Sequence, residues 1–133
     1  MKVLVNIAKN NLPMGRQTIG AAFANAFNGL VYFLRRDRNG QIEFGATILV
    51  ISAAAVLHAT TTEWLVILLC IGAVLGLEMI NSAIEKLCDL VHKDYHPTIK
   101  IIKDVTAGAV LLACIISVVI ACIIFLPKIG QTP

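Results

Sequence analysis

The sequence is poor in charge. Only 14% of its 133 residues are Asp, Glu, Lys or Arg, against roughly a quarter in soluble domains. A formal net charge of +3 is too small to indicate a nucleic-acid partner. The four cysteines, Cys70, Cys88, Cys114 and Cys122, form no CxxC pair and no Cys/His spacing for zinc. All but Cys88 lie in apolar runs and read as small hydrophobes. There is no Walker A sequence, no Ser-His-Asp arrangement, no internal repeat and no low-complexity tract. Met1-Lys2-Val3-Leu4-Val5-Asn6 is too short in apolar residues for a signal peptide, and no small-residue cleavage site follows it. Insertion is therefore expected to rely on internal spans.

What is abundant is apolar. Hydrophobic residues make up 58% of the chain and the mean hydropathy is +0.84, which places it among all-α integral membrane proteins with a single domain over residues 1–133. From about residue 14 to 36, Ile19, Phe23, Phe27, Leu30 and Leu34 recur at steps of three and four, while Arg16, Gln17, Asn25, Asn28 and Arg35 fall largely elsewhere on the wheel. That is an amphipathic helix too polar to span, suited to the membrane surface or to packing on the spans. Arg35-Arg36-Asp37-Arg38-Asn39-Gly40 is a basic break of the kind found at a cytoplasmic span end. Three spans follow, at about 42–59, 64–86 and 104–126. In the last, Gly108, Ala109, Ala113, Ser117 and Ala121 recur at steps near four, a pattern that lets helices approach closely in lipid. Ten of the eleven Lys and Arg residues fall on one side of this arrangement and only Lys128 on the other. The asymmetry predicts a cytoplasmic N-terminus, a cytoplasmic loop over residues 86–104 and an outside C-terminus.

Against that background the second span is unusual. It opens with an uncharged run over residues 64–77 and then carries Glu78, Asn81 and Glu85 at i, i+3 and i+7, on one helix face that Asp89 continues. An acid within a span costs at least a few kcal/mol and marks function by default. Glu78 falls about 21 Å along the span from Trp64, and Glu85 about 31 Å, at the far water boundary. The cytoplasmic side gathers Asp37, Glu43, Glu78, Asn81, Glu85, Asp89, Lys103 and Asp104. Hard oxygen ligands suit Mg²⁺, which takes one or two carboxylates plus substrate phosphates, and Lys103 could offset phosphate charge. A partly desolvated carboxylate at Glu78 suits a general base that takes a proton from an alcohol. An apolar alcohol reaches it from the bilayer, and ATP reaches Glu85 and Lys103 from the cytosol, so the layout fits phosphoryl transfer to a lipid hydroxyl. A small proton-coupled transporter with Glu78 as its proton site, or a non-catalytic membrane subunit, fits the same acids, but leaves the Lys103-Asp104 pair without a role.

Glu78-Met79-Ile80-Asn81-Ser82-Ala83-Ile84-Glu85, then Asp89, then Lys103-Asp104 with Ala107-Gly108-Ala109-Val110-Leu111-Leu112, resembles the signature of the small prokaryotic diacylglycerol kinase family, which includes the undecaprenol kinases. The resemblance covers nearly the whole chain. It implies a homotrimer of three-span subunits with a surface helix, in a bacterial inner membrane, with active sites at the membrane–cytoplasm boundary between subunits. It further implies ATP and Mg²⁺, with diacylglycerol or undecaprenol as the lipid acceptor. By the same resemblance Glu78 is the catalytic base and Glu85 a metal-binding carboxylate. Asp37 stands where the family has a second metal-binding acid, there commonly the longer Glu. Asn81 is implied to position groups near the transferring phosphate. Asp94, Tyr95 and His96 match a stretch that contacts nucleotide, and Lys103 and Asp104 match the pair at the phosphates. Gln41 departs from the Arg of many members, and Asn25 from an aromatic present in some. Lys86 and His96-Pro97 lean toward undecaprenol kinases, and Ser82 toward the diacylglycerol type.

Overall fold

The structure is a computed structural model, described over residues 18–130. Those residues form α1 (Ile19–Arg36), α2 (Arg38–Val56), α3 (Thr61–Val91) and α4 (Pro97–Ile129). The expected all-α membrane architecture is what is found, with α2, α3 and α4 each long and apolar enough to cross a bilayer. The expected helix start near residue 14, and Arg16 with it, lie outside the described residues. The chain forms two units that divide between Val31 and Tyr32, and the second carries all three spans. In the first unit Ile19, Phe23 and Phe27 are exposed along one stripe of α1, as suits a helix whose apolar face meets lipid.

The helix boundaries follow from capping groups. A single residue, Asp37, separates α1 from α2 where the sequence pattern suggested a longer basic break. Its Oδ1 accepts from the backbone N–H of Asn39 at 3.1 Å and of Gly40 at 3.5 Å, two of the donors that a helix start leaves unpaired. The first span therefore begins at Arg38 rather than near residue 42. Gly40 makes this tight corner possible, because a Cβ there would lie 2.5 Å from the Phe33 carbonyl oxygen. Thr60 and Glu63 form a reciprocal capping box, so α3 starts at Thr61, ahead of the expected Trp64. His58 takes up the left-handed conformation (φ 50°) in the short α2–α3 turn. His96 caps α4, its Nδ1 accepting from the Thr98 N–H at 3.2 Å, with Pro97 in the first turn. Both long helices thus run beyond the lengths read from hydropathy, and the polar segment between the second and third spans shrinks to residues 92–96.

Two ion pairs fix the antiparallel packing of α3 and α4. Lys103 Nζ meets Asp89 Oδ1 at 2.5 Å at one end, and Lys128 Nζ meets Glu63 Oε2 at 3.0 Å at the other. At the helical rise the two acids are about 39 Å apart along α3, long enough to bracket a ~30 Å hydrocarbon core. The pairing supports the inference that Lys103 and Lys128 lie at opposite faces of the membrane. One stripe of α3 is covered: Ile67 and Val74 in its first half, then Glu78, Asn81, Ser82 and Cys88 in its second. The buried face thus changes from apolar to polar partway along a single helix. Of the small residues in the third span, Ala113, Ser117 and Ala121 are half-buried, whereas Gly108 and Ala109 are exposed.

Candidate active site

The polar half of the α3 stripe faces the start of α2. Glu78 is 4% exposed. The carboxylates of Glu43, Glu85 and Asp37 all lie close enough to act on its charge, and the Asn39 side chain lies within reach of it as a hydrogen-bonding partner. A helix that begins at Arg38 explains this grouping. Asn39 and Glu43 are four residues apart, and Ala46, Thr47 and Val50 continue the same face. One surface of α2 therefore presents an amide, an acid and then an apolar strip to α3.

Along α3, Glu78 lies about 16 Å from Asp89 and about 22 Å from Glu63, nearer the polar end of the helix. Asn81 Nδ2 donates to Glu85 Oε1 at 3.4 Å. Asn81 Oδ1 is buried with no hydrogen-bonding partner, and the buried Ser82 hydroxyl lies near Asp37. An unpaired buried oxygen is costly, and the Asn81 oxygen, on the side chain that holds Glu85, is an acceptor that suits a cation or a donor group on a ligand.

Asp37 is already engaged on both oxygens. Oδ1 caps α2, and Oδ2 takes the Lys86 ammonium at 2.5 Å. Burial pushes the Asp37 carboxyl up, but Lys86, the Gly40 N–H and the nearby Ser82 hydroxyl together outweigh it and hold the group below the ordinary aspartate value. The Lys86 Nζ also stands 5.9 Å over the Tyr32 ring, within cation–π range.

The remaining expected site residues divide into two groups. Lys103 pairs with Asp89 and is close enough to Glu85 for their charges to interact, so α4 delivers it to the same end of the stripe. Asp104 is exposed and pairs with Lys100 one turn away. Asp94 and Tyr95 are exposed in the α3–α4 loop, and His96 serves as the helix cap with its ring against His92. Gln41 donates from Nε2 to the Arg35 carbonyl at 3.0 Å, so it braces the corner, and Asn25 is exposed on α1.

The sequence pattern under-read three residues. Glu43 was one acid among several on the cytoplasmic side, and Asn39 and Lys86 had no assigned place. The signal for the first two was Asp37 as an N-cap: moving the helix start to Arg38 puts both on the face toward Glu78.

Below the acids, Glu43, Ala46, Thr47 and Val50 of α2, the 67–75 stretch of α3 and the 114–121 stretch of α4 line a cavity of about 270 Å³ with mostly apolar walls. Cys70 and Cys114 are among its lining residues, and all four cysteines are free thiols. The cavity has Glu43 at its polar end, and Cys114 lies within electrostatic reach of Glu43 and Glu78. Among the described residues no three His, Cys, Asp or Glu side chains converge as a metal cage. The oxygens of Glu85, Asn81, Ser82 and Asp37 are nevertheless the hard donors that Mg²⁺ prefers. An ion that keeps waters and substrate phosphates as its other ligands needs no full protein cage.

The prokaryotic diacylglycerol kinase family matches residues 24–125. The undecaprenol kinase of Bacillus subtilis is 37% identical over 108 residues, covering 81% of this chain and 88% of the relative. The diacylglycerol kinase of Synechocystis sp. is 38% identical over 109 residues, covering 81% of this chain and 62% of that longer relative. No solved structure matches significantly.

Proposed function

The chain belongs to the prokaryotic diacylglycerol kinase family and is an integral membrane lipid kinase, and from that premise we propose that it transfers the γ-phosphoryl group of ATP to the hydroxyl of undecaprenol. The reading rests above all on Glu78, an acid buried within a membrane-spanning helix, grouped with Glu43 and Glu85 beside an apolar cavity. Undecaprenol is placed ahead of diacylglycerol because this chain spans 88% of the Bacillus subtilis relative but only 62% of the Synechocystis one. Membership in a kinase family supports the kinase reading of the chain over the transporter one.

In this mechanism the hydroxyl end of the lipid enters the cavity between α2, α3 and α4 from the bilayer, which keeps the rest of the chain, and brings the hydroxyl up to Glu78. The Glu78 carboxylate accepts the hydroxyl proton as the oxygen attacks the γ-phosphorus. The bond from that phosphorus to the bridging oxygen breaks, and ADP leaves with the electron pair. Burial of Glu78 keeps competing water away from the attacked phosphorus. Asn81 holds Glu85 through its amide and turns its free oxygen toward the phosphates' side of the site. Glu85 and Asp37 would hold Mg²⁺, which when bound neutralises charge on the phosphate oxygens. Lys103 sets a positive charge beside the same phosphates, with Asp104 ordering Lys100 next to it. Asp94, Tyr95 and His96 are the surface loop available to the nucleotide. Most of the rate enhancement in such a site comes from positioning and charge stabilisation.

The working unit is a homotrimer in the bacterial inner membrane with its N-terminus and site cytoplasmic and its C-terminus outside. The charge asymmetry and the two end-to-end ion pairs support that orientation.

The test is direct. Purified protein in detergent micelles is given γ-³²P-labelled ATP and Mg²⁺ with undecaprenol, diacylglycerol or no lipid. Label in undecaprenyl phosphate at the higher kcat/KM supports the proposal. Preferential labelling of phosphatidic acid moves the substrate to diacylglycerol, and no labelled lipid in either arm refutes the kinase mechanism.

A further inference from the structure

Asp37 and Lys86 are 49 positions apart in sequence and meet at 2.5 Å. The Asp37 side chain is 11% exposed and that of Lys86 is 50% exposed. This pair ties the α1–α2 corner to the polar half of α3. It also sets a cation against a group of acids in which the charges of Asp37, Glu43 and Glu85 act on Glu78. Lys86 is the base that contacts this group through an ion pair, while Lys103 is taken up by Asp89.

We propose that Lys86 is a positioning residue that acts as a resident counter-cation: it holds the Asp37 oxygen that a divalent ion would need, and the ion must displace it. The inference rests on the reading of Asp37 as a metal-binding acid. Three observations carry it. First, Asp37 Oδ1 is committed to the α2 cap through Asn39 and Gly40, so Oδ2 is the oxygen open to exchange, and Lys86 occupies it. Second, the Lys86 ammonium also lies 5.9 Å from the Tyr32 ring centroid and its side chain is half exposed, so loss of the Asp37 contact leaves it the ring and solvent. Third, the unpaired Asn81 oxygen lies between one and two turns before Lys86 on α3, on the side chain whose amide holds Glu85, where an incoming cation would complete its oxygen set.

The consequence is a threshold. With no metal bound, Lys86 keeps the corner closed and screens the acids from one another. Once the metal arrives, Asp37 changes partner while its other oxygen continues to cap α2. An exchange of this kind sets how much free metal is needed, without Lys86 touching the reacting atoms.

The experiment uses the full chain in micelles and Mn²⁺ as the probe, with free Mn²⁺ read by electron paramagnetic resonance. Lys86→Met keeps most of the side chain's length and removes the charge. It should tighten Mn²⁺ binding about two- to fivefold, the range of a partly exposed ion pair. Lys86→Arg, a stronger partner for a carboxylate, should weaken binding by a similar factor. Asp37→Asn keeps the cap; it should weaken Mn²⁺ binding and abolish the effect of Lys86→Met in the double variant. Equal tightening by Lys86→Met with and without Asp37 would mean a diffuse charge effect and overturn the inference. So would unchanged or weaker binding in Lys86→Met, with Asp37 still required. If Asp37→Asn itself leaves Mn²⁺ binding unaltered, both this inference and the metal role of Asp37 fail, while phosphoryl transfer from Glu78 still stands to be measured separately.

Discussion

Asn81 spends its amide nitrogen on Glu85, at 3.4 Å, and leaves its amide oxygen buried without a partner. That division of one side chain places a donor on the putting-in-place of a carboxylate and an acceptor on an empty polar spot. Asn81→Ala removes both. Groups that orient a metal-binding carboxylate are worth about 10–100-fold in metal affinity or activity, so this variant should lose turnover by that order and also bind Mn²⁺ more weakly. Loss of turnover with unchanged Mn²⁺ affinity would assign Asn81 to the phosphate instead of to Glu85.

The α1–α2 corner depends on the missing side chain at Gly40. A Cβ there would lie 2.5 Å from the Phe33 carbonyl oxygen and 3.1 Å from the Phe33 ring. Backbone cannot swing aside as a flexible side chain can. Gly40→Ala should therefore destabilise the protein by about 1–3 kcal/mol, the usual cost of overpacking, and displace Asp37 and Asn39 from α3. Thermal inactivation in micelles measures the first effect, and a drop in turnover below the inactivation temperature measures the second.

The Lys128–Glu63 pair should matter much less. Both side chains are about a quarter exposed, and such pairs contribute about 0.2–1 kcal/mol. Glu63→Gln preserves the capping box with Thr60 while removing the ionic partner of Lys128. The expected outcome is a small loss of thermal stability, sensitive to salt, with lipid turnover unchanged.

Asp37 gives a pH dependence of definite sign. Its folded pKa is held below the ordinary aspartate value, with burial opposed and outweighed by Lys86 and the Gly40 N–H. A depressed carboxyl pKa stabilises the fold above the unfolded-state value and loses that contribution as pH falls through the folded one. Wild-type protein should lose stability on acidification below the ordinary aspartate range. Asp37→Asn should show a shallower acid limb in the same denaturation series.

The sequence carried the three spanning helices and the Glu78/Asn81/Glu85 face, because hydropathy and a seven-residue spacing are properties of one helix read alone. It did not carry the helix ends. Asp37, Thr60 with Glu63, and His96 each extend a helix through a cap, which adds polar residues that a hydropathy window rejects. The shift at Asp37 had the largest effect, since it turns Asn39 and Glu43 toward Glu78. The Lys86–Asp37 pair was beyond reach for a different reason. It joins two elements 49 positions apart, and a lysine next to a motif acid reads from sequence as a solvated charge. Asp94, Tyr95 and His96 were expected through resemblance, and the described fold leaves them on a surface loop.

The central claim is that the buried Glu78 carboxylate takes the proton from the lipid hydroxyl. The decisive measurement is the initial rate of ³²P transfer from labelled ATP to undecaprenol by Glu78→Gln in micelles, with wild-type thermal stability confirmed on the same sample. A rate at least about a hundredfold lower, the scale for losing a general base, is the predicted result. A correctly folded Glu78→Gln protein that phosphorylates lipid at close to the wild-type rate would contradict it.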